Sequence, residues 1–321
     1  MIKKIQNNQP SNMLRIEYML GNLCNHKCHY CFPGSNEGDK PWPDLELVKR
    51  NLEHFLNHYV SQGKTKFTIF IVGGEPTLWK GLEYLCKFLK DKFDIIIEIS
   101  TNGTRKCSWW KENAKYFDHI GVSVHREYAN IDHIIQVCDI LYEQGAFVNA
   151  DVLMDPESFD YCSNIVEKLK ESKYNWPIIA KVVNFNGSHR YTDTQLSYFN
   201  ESVKRYPAQE WYESTSKKES TEVTITKDND EVVVVKNDSW LTLNNLNHFK
   251  GWECNLGVDI VKIFANGQIT GNCQQMLFEN HNLYDSNFTN VFNPKLIPVI
   301  CTKSVCSCNG EMICNKRKIN V

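Results

Sequence analysis

The sequence predicts an α/β fold in which a curved parallel sheet is wrapped by helices. The chain has 321 residues, of which 42% are hydrophobic, so it can bury a large core. Short apolar β-rich runs alternate with longer amphipathic runs, and six such β-α units predict parallel strands joined by helical crossovers. The strands are predicted at residues 14–20, 66–72, 95–100, 119–124, 147–154 and 177–184.

Helical stripes of apolar residues lie between the predicted strands. The first stripe follows Asp44, a residue type that caps helix N-termini, and runs from Leu45 to Tyr59. A later stripe starts at Ile131 and stops at Gly145. Because parallel α/β folds bind ligands at the carboxyl ends of their strands, we expect the functional residues in the loops that follow the strands.

Charge and hydropathy exclude two classes of partner. The formal net charge of -2 offers no basic face for nucleic acid. The sequence has no run of 18 or more apolar residues, and its basic N-terminal stretch lacks an apolar segment. We therefore expect a soluble cytoplasmic protein that binds neither nucleic acid nor membrane.

Three cysteines, Cys24, Cys28 and Cys31, follow the first predicted strand at CxxxCxxC spacing. Three thiolates on one loop can hold three irons of a cubane cluster and leave the fourth iron open to a chelating cofactor. A zinc site normally uses four ligands in pairs, and no matching pair of cysteines follows nearby. Disulfides are disfavoured because thirteen cysteines is an odd number and no secretory signal is present.

Polar and glycine-rich motifs follow the next three predicted strands. GGEP at 73–76 follows the second strand, STNG at 100–103 follows the third, and Ser123 lies on the fourth. Two glycines let a ligand approach the backbone closely, and backbone carbonyls with the Glu75 carboxylate can accept hydrogen bonds from an ammonium group. Hydroxyl and amide side chains at the other two strand ends suit a ribose or a carboxylate.

This order of motifs, from residue 13 to about residue 190, resembles the radical S-adenosylmethionine (SAM) superfamily. The resemblance implies a partial (β/α)6 TIM-like barrel, a [4Fe-4S] cluster on Cys24, Cys28 and Cys31, and SAM bound to the open iron. In that family one electron cleaves SAM to methionine and a 5'-deoxyadenosyl radical, which abstracts a substrate hydrogen atom. The resemblance also implies an electron donor of the flavodoxin or ferredoxin type.

The same match assigns residues to SAM itself. Arg126, in the run after Ser123, is a candidate fork donor to the SAM carboxylate, and the alternative is an exposed loop arginine. The other implied contacts are Tyr30 beside the cluster and adenine, Gly73, Gly74 and Glu75 at the methionyl amine, and Ser100, Asn102 and Ser123 at the ribose or methionyl carboxylate.

Polar residues also interrupt the last two predicted strands. Asp151 and Lys181 stand in otherwise apolar runs, so they need partners if they point into the barrel, and are solvated or bridge to helices if they point outward. Period-2 alternation cannot decide between these faces. We predict substrate or SAM contacts for both, and an acid or base role for either residue if the reaction is an oxidation that loses a proton.

After residue 190 the β-α alternation breaks. One hairpin is predicted at EVTIT-KDND-EVVVV and another turns at Asn266-Gly267. Six of the thirteen cysteines lie beyond residue 250, namely Cys254, Cys273, Cys301, Cys306, Cys308 and Cys314. Such clustering is hard to explain as packing.

The cysteine-rich tail resembles the auxiliary-cluster modules of the same superfamily, called twitch when they hold one cluster and SPASM when they hold two. Six thiolates favour one second [4Fe-4S] cluster, since two would need eight. The first-choice ligands are Cys254, Cys273, Cys306 and Cys308; Cys301 or Cys314 can substitute, and two clusters with non-cysteine ligands remain open. We thus predict a core at 1–190, a connecting segment at 191–250 and an auxiliary-cluster domain at 251–321.

An auxiliary cluster in relatives either accepts the electron left on a substrate radical or binds the substrate. We therefore predict a radical SAM oxidoreductase that modifies a small or carbohydrate-like molecule by a dehydrogenase-like reaction or a rearrangement. A peptide-modifying enzyme is the alternative, which the early start of the barrel disfavours because it leaves no room for a leader-binding domain. A non-catalytic iron-sulfur carrier or sensor is the second alternative, and the GGEP and STNG motifs argue against it.

Overall fold

The structure is a computed structural model that describes residues 2–7, 10–31, 33–183, 191–205, 223–235, 241, 246–270, 278, 281–306 and 314–319. Its helices are α1 (Leu45–Ser61), α2 (Leu82–Lys92), α3 (Cys107–Asn113), α4 (Ile131–Glu143), α5 (Phe159–Leu169), α6 (Asp193–Arg205) and α7 (Phe288–Val291). Its strands are β1 (Ile2–Asn7), β2 (Met13–Met19), β3 (Lys66–Val72), β4 (Ile95–Thr101), β5 (His119–Val124), β6 (Phe147–Met154), β7 (Ile178–Val182), β8 (Val223–Lys227), β9 (Val232–Val235), β10 (Glu253–Cys254), β11 (Ile260–Ile263), β12 (Ile269–Thr270), β13 (Val299–Ile300) and β14 (Lys316–Arg317).

The larger sheet has the strand order β12-β11-β2-β3-β4-β5-β6-β7. Strands β2 to β7 pair parallel in chain order, with helical segments between them. All six match the predicted strands to within two residues, which confirms the α/β class with a parallel sheet. Within the described residues the sheet is open, with β12 and β7 at its edges, and this is compatible with a partial barrel.

The two faces of this sheet differ in character. Alternate residues of β2, such as Leu14, Ile16 and Tyr18, are fully buried in a core that also contains apolar side chains of α1, α2, α4 and α5. The intervening residues point to the other face because side chains alternate along a strand. We call the face away from the helices the inner face; its residues include Arg15 and Glu17.

Local signals set the helix ends. Asp44 caps α1, and its Oδ1 accepts a hydrogen bond of 2.8 Å from Leu47 N. Beyond α4, Gly145 has a φ of 76°, a left-handed conformation that favours glycine and ends the helix. Both signals were read correctly from the sequence.

The smaller sheet is antiparallel and has the order β13-β10-β14-β1-β8-β9. Its β8–β9 hairpin confirms the first predicted hairpin. Strand β1 was not predicted, because its buried residues Ile2 and Ile5 are three apart instead of two. A register shift between Ile2 and Lys4 accounts for that spacing.

The second predicted hairpin is also present, with β11 and β12 antiparallel and Gly267 at a φ of 81° in the turn. Strand β11 pairs parallel with β2, so the hairpin lies in the larger sheet, whereas β10 lies in the smaller one. The division into segments 1–190, 191–250 and 251–321 stays a prediction. No helix in the described part of the chain is long and apolar enough to span a membrane.

Candidate functional site

The CxxxCxxC loop lies over the carboxyl ends of β6 and β7. Cys28 and Tyr30 are buried in one apolar cluster with Val183, and Cys31 and Leu153 pack against it. Because Leu153 is on the inner face of β6, the cysteine loop covers the top of that face.

The donor set of this loop fits an iron-sulfur cluster better than a single ion. Within the described residues, no three His, Cys, Asp or Glu side chains converge on one ion position. In a cubane each thiolate binds its own iron, so three neighbouring thiols on one loop are suitable, and both Cys24 and Cys31 act on the Cys28 thiol. Burial raises the pKa of Cys28 to about 12, and Glu127 and the other two thiols add to the shift. His26 Nδ1, between Cys24 and Cys28 in the chain, is buried and has no hydrogen-bond partner among the described residues.

The GGEP loop packs directly on the cysteine loop. Gly73 and Gly74 have φ values of 94° and 55°. A Cβ on Gly73 would lie 2.4 Å from Gly21 O, and one on Gly74 would lie 2.3 Å from Leu23 O. Both glycines are therefore required for the close approach of two backbones, in addition to any approach by a ligand.

Glu75 ties this loop to the end of β4. Its buried carboxylate accepts hydrogen bonds from Thr77 N (3.1 Å), Thr77 Oγ1 (2.6 Å), Thr101 Oγ1 (2.8 Å) and Asn102 N (2.6 Å). Burial raises the pKa of Glu75, and these donors oppose the shift. The contact of Glu75 with the methionyl amine stays a prediction, and four donors of the chain itself already use the carboxylate.

The STNG and serine positions occupy neighbouring strand ends. Asn102 Nδ2 donates to Asn25 Oδ1 at 2.8 Å and lies 3.9 Å from Cys24 Sγ, so this amide braces the cysteine loop. Ser100 Oγ and Ser123 Oγ are 3.3 Å apart on the inner face and are half-buried. The two hydroxyls are therefore placed to meet a ligand at the top of the inner face.

Two further predicted SAM residues have partners within the chain. The Arg126 guanidinium pairs with the fully buried Asp155 carboxylate, at 2.7 Å from Nε and 2.6 Å from Nη2. Tyr30 OH lies 3.1 Å from His125 Nδ1, and the two rings stack with centroids 5.8 Å apart. Burial lowers the pKa of His125 to about 4, so this histidine is neutral near pH 7. The roles of Arg126 and Tyr30 toward SAM stay predictions.

A row of polar side chains crosses the inner face below the cysteine loop. We define this polar row as Arg15, Glu98, His119, Asn149, Asp151 and Lys181. Arg15 Nη2 donates to Glu98 Oε2 at 3.2 Å, and Glu98 Oε1 lies 3.5 Å from His119 Nδ1. Asn149 Oδ1 accepts from His119 Nε2 at 2.6 Å, and Asn149 Nδ2 donates to Asp151 Oδ1 at 2.7 Å. Lys181 Nζ donates to Asp151 Oδ2 and completes the row.

The structure brings the two predicted catalytic residues together at the end of this row. The Asp151 side chain is 5% exposed and that of Lys181 is 50% exposed, so the pair has one nearly buried and one half-exposed member. Burial raises the pKa of Asp151, while Lys181 opposes the shift. Asp151 precedes Leu153 by two residues, so it lies about 7 Å along the strand below the cysteine loop.

Sequence reasoning missed Arg15, Glu98 and His119. A signal for them existed, because each is a charged or ionisable residue inside an otherwise apolar run. Only the pairing between strands reveals the row, since the register places Glu98 opposite His119 and Ser123 opposite Asp151.

A second group of thiols lies in the smaller sheet. Cys254 and Cys314 are buried in one apolar cluster, and Cys301 packs on another that contains Cys306. Burial raises the pKa of Cys314, with contact from Cys254 adding to it. Burial also raises the pKa of Cys301, and both Cys254 and Cys306 are near enough to contribute. Two first-choice ligands, Cys273 and Cys308, lie outside the described residues.

A buried cation accompanies these four thiols. Lys316 is 4% exposed and stands opposite Cys254 in the β10–β14 pair. Its Nζ donates to Cys314 O at 3.1 Å and lies 5.5 Å from the centroid of the Phe249 ring. Four thiols with an adjacent buried ammonium fit the charge of a thiolate-bound cluster.

A cavity of about 460 Å³ opens at the carboxyl end of β2. It lies between the segment that follows the cysteine loop and the β11–β12 turn. Side chains that line it include Met19, Asn22, Lys40, Phe264, Gln268 and Thr270. The cavity mixes apolar and polar walls, which is typical of a small-ligand site.

Comparisons with known proteins agree with this geometry. Residues 18–141 match the family model of the radical SAM superfamily. The chain is 27% identical over 208 residues to the radical SAM cyclopropyl synthase TigE of Paramaledivibacter caminithermalis, covering 56% of this chain and 43% of TigE. It is 22% identical over 199 residues to an S-adenosylmethionine-dependent nucleotide dehydratase of a Fibrobacter species, covering 57% of this chain and 60% of that protein. The chain thus spans less than two thirds of either relative.

A solved structure, native anSMEcpe with bound AdoMet, has a similar fold. The TM-score is 0.53 at 17% identity, and the match covers 89% of this chain and 82% of that one. At this identity the likeness concerns the fold.

Replacing Glu75 tests its structural role. Glu75→Ala leaves four buried donors without an acceptor, so we expect the free energy of unfolding to fall by about 2–4 kcal/mol. Glu75→Gln retains one acceptor oxygen and should lose less. Denaturant unfolding of both variants measures the difference, and a loss below about 1 kcal/mol for the alanine variant would contradict the network.

Proposed function

We propose that this chain, a member of the radical SAM superfamily, is an oxidoreductase that removes hydrogen from a small, polar, carbohydrate-like substrate. The observation that carries the proposal is the polar row, whose Asp151–Lys181 end lies below the cysteine loop. Hydroxyl-rich substrates need hydrogen-bond partners when they leave water, and the half-exposed Lys181, paired with Asp151 at the end of this row, would supply them there.

The chain's own residues supply a site for both cofactors. Cys24, Cys28 and Cys31 would hold the [4Fe-4S] cluster. When bound there, cluster and SAM would supply the radical chemistry that removes a hydrogen atom from the substrate. Ser100 and Ser123 would bind the ribose or the methionyl carboxylate from the inner face, and a reductant of the flavodoxin or ferredoxin type would supply the electron.

Asp151 and Lys181 would complete the oxidation. When an alcohol becomes a carbonyl, the substrate loses one hydrogen atom, one proton and one electron. Asp151 is the proposed proton acceptor, because a buried carboxylate with a raised pKa is a stronger base than an ordinary one. Lys181 would orient the substrate oxygen by donating a hydrogen bond from the exposed side of the pair.

The remaining electron requires an acceptor, which a second cluster would supply. We propose Cys254, Cys301, Cys306 and Cys314 as its ligands, since Cys314 contacts Cys254, Cys301 is near both Cys254 and Cys306, and the four make one four-cysteine set. Cys273 and Cys308, two of the first choices from the sequence, lie outside the described residues and become the alternative ligands.

Formation of 5'-deoxyadenosine tests the activity. The anaerobically reconstituted protein, given dithionite and SAM, should form 5'-deoxyadenosine, and deuterium should pass into it from a labelled polyol or sugar substrate. Cys28→Ala should abolish both. Deuterium transfer from a peptide, but not from a polyol or sugar, would instead favour a peptide-modifying enzyme. If the protein does not cleave SAM although its cluster is intact, the redox-carrier interpretation remains.

The pH dependence tests the proton acceptor. Asp151 must be ionised to accept a proton, so the oxidation rate should fall as pH drops through its pKa, which burial places above the usual value of about 4. Lys181 holds that pKa down, so Lys181→Met should move the acid limb of the kcat profile to higher pH.

Asp151→Asn should remove the acid limb and lower kcat by about 10²- to 10⁴-fold, while 5'-deoxyadenosine still forms. Lys173→Met, at an exposed surface pair with Glu143, is the matched lysine control and should leave the profile unchanged. An unshifted acid limb in Lys181→Met would exclude Asp151 as the titrating base.

Iron and sulfide analysis tests the second cluster. The reconstituted protein should hold about eight of each, and the Cys254→Ala/Cys314→Ala double variant about four. The variant should keep SAM cleavage but lose substrate oxidation. Cys138→Ala removes a buried single thiol on α4 and should keep all eight. A content near four in the unaltered protein would rule out the second cluster.

A further inference from the structure

The chain passes between the two sheets through the turn at residues 255–259. Cys254 ends β10 in the smaller sheet, and Ile260 begins β11 in the larger one. Asp259 is the last residue of this turn, and its backbone carbonyl accepts a hydrogen bond of 2.9 Å from Arg15 N in β2. A buried carboxylate therefore stands at the junction between the sheets.

The two oxygens of Asp259 bind different parts of the protein. Oδ1 accepts a hydrogen bond of 2.8 Å from Lys64 Nζ, and Lys64 also donates to Ser11 O at 2.8 Å and Met13 O at 3.0 Å. These contacts attach Asp259 to the start of β2 in the larger sheet. Lys64 and Asp259 are 6% and 9% exposed, so solvent screens this pair little.

Oδ2 of Asp259 binds two asparagines that adjoin strands of the smaller sheet. It accepts hydrogen bonds from Asn255 Nδ2 at 2.8 Å and Asn315 Nδ2 at 2.9 Å. Asn255 N in turn donates to Asn315 O at 2.9 Å. These asparagines directly follow Cys254 and Cys314, whose side chains belong to the second group of thiols.

We propose that Asp259 is a positioning residue for the second cluster, holding Cys254 and Cys314 in place through Asn255 and Asn315. The inference rests on the proposed second cluster and adds how its ligands are fixed relative to the core. Consecutive Cα atoms are about 3.8 Å apart, so fixing an asparagine side chain restricts the adjoining cysteine.

Stability alone is a weak explanation for this arrangement. A buried ion pair costs desolvation energy that apolar residues of similar size would avoid. What a carboxylate adds is geometry, because its two oxygens join Lys64 on one side to two asparagines on the other. The arrangement aligns two chain segments that are distant in sequence, and each carries one thiol.

The decisive variant is Asp259→Asn. Its amide NH2 group replaces one acceptor oxygen and then faces donor groups of Lys64 or of the two asparagines. We expect iron to fall from about eight to about four, with loss of the second cluster's electron paramagnetic resonance signal. The first cluster should keep its signal and the change of that signal on addition of SAM. Asp118→Asn is the matched control, because Asp118 is a buried carboxylate paired with Lys90 on α2; it should keep both clusters.

The Asn255→Ala/Asn315→Ala variant keeps the Lys64 pair and removes the links from Asp259 to the cysteines, together with the hydrogen bond that Asn315 Oδ1 accepts from Asn7 N. It should reproduce the selective loss, and it decides the matter if Asp259→Asn does not fold. If either folded variant keeps eight irons with both signals unchanged, Asp259 does not position the cluster. If the unaltered protein holds only about four irons, the second cluster and this role for Asp259 fail together.

Discussion

The buried residue Glu75 connects three loops on which the rest of the candidate site depends: the cysteine loop, its own GGEP loop and the loop at the end of β4. Its backbone N–H donates to Leu23 O in the cysteine loop at 2.8 Å, and its side chain accepts from the end of β4. Gly73 and Gly74 permit the backbone approach that brings these groups together. A thiol loop would otherwise be a free surface segment, and this network fixes it above the sheet.

The two faces of the larger sheet differ in role: one packs against the helices and stabilises the fold, and the other carries the polar groups of the candidate site. Its outer residues form an apolar core with the helices, whereas the polar row on the inner face is hydrogen-bonded from Arg15 to Lys181. Asn149 stands in the middle of the row, and a neutral amide does not titrate as its neighbours do. The row therefore holds the buried Asp151 carboxylate in place without offering an unbroken path of titratable groups to Glu98.

The sequence predicted those parts of the site that depend on local signals. The six strands, the α1 cap at Asp44 and the positions of the CxxxCxxC, GGEP and STNG runs all follow from spacing and residue type. Residues that depend on pairing between distant segments were not predictable, because neither Glu98 nor His119 indicates its face alone. The same limit applies to Cys254 and Cys314, which meet through strand pairing, and to β1, whose register shift hides its alternation.

The position of β1 has a consequence for how the protein is made. Strand β1 pairs with β14, and Asn7 N donates to Asn315 Oδ1 across 308 residues of sequence. The loop with Cys24, Cys28 and Cys31 packs on segments up to residue 183, at the end of β7, whereas the smaller sheet needs β14. During synthesis the smaller sheet therefore closes last, since long-range pairing waits for the later segment. The thiols around Cys254 and Cys314 assemble at that final step, after the first cysteine loop has its support.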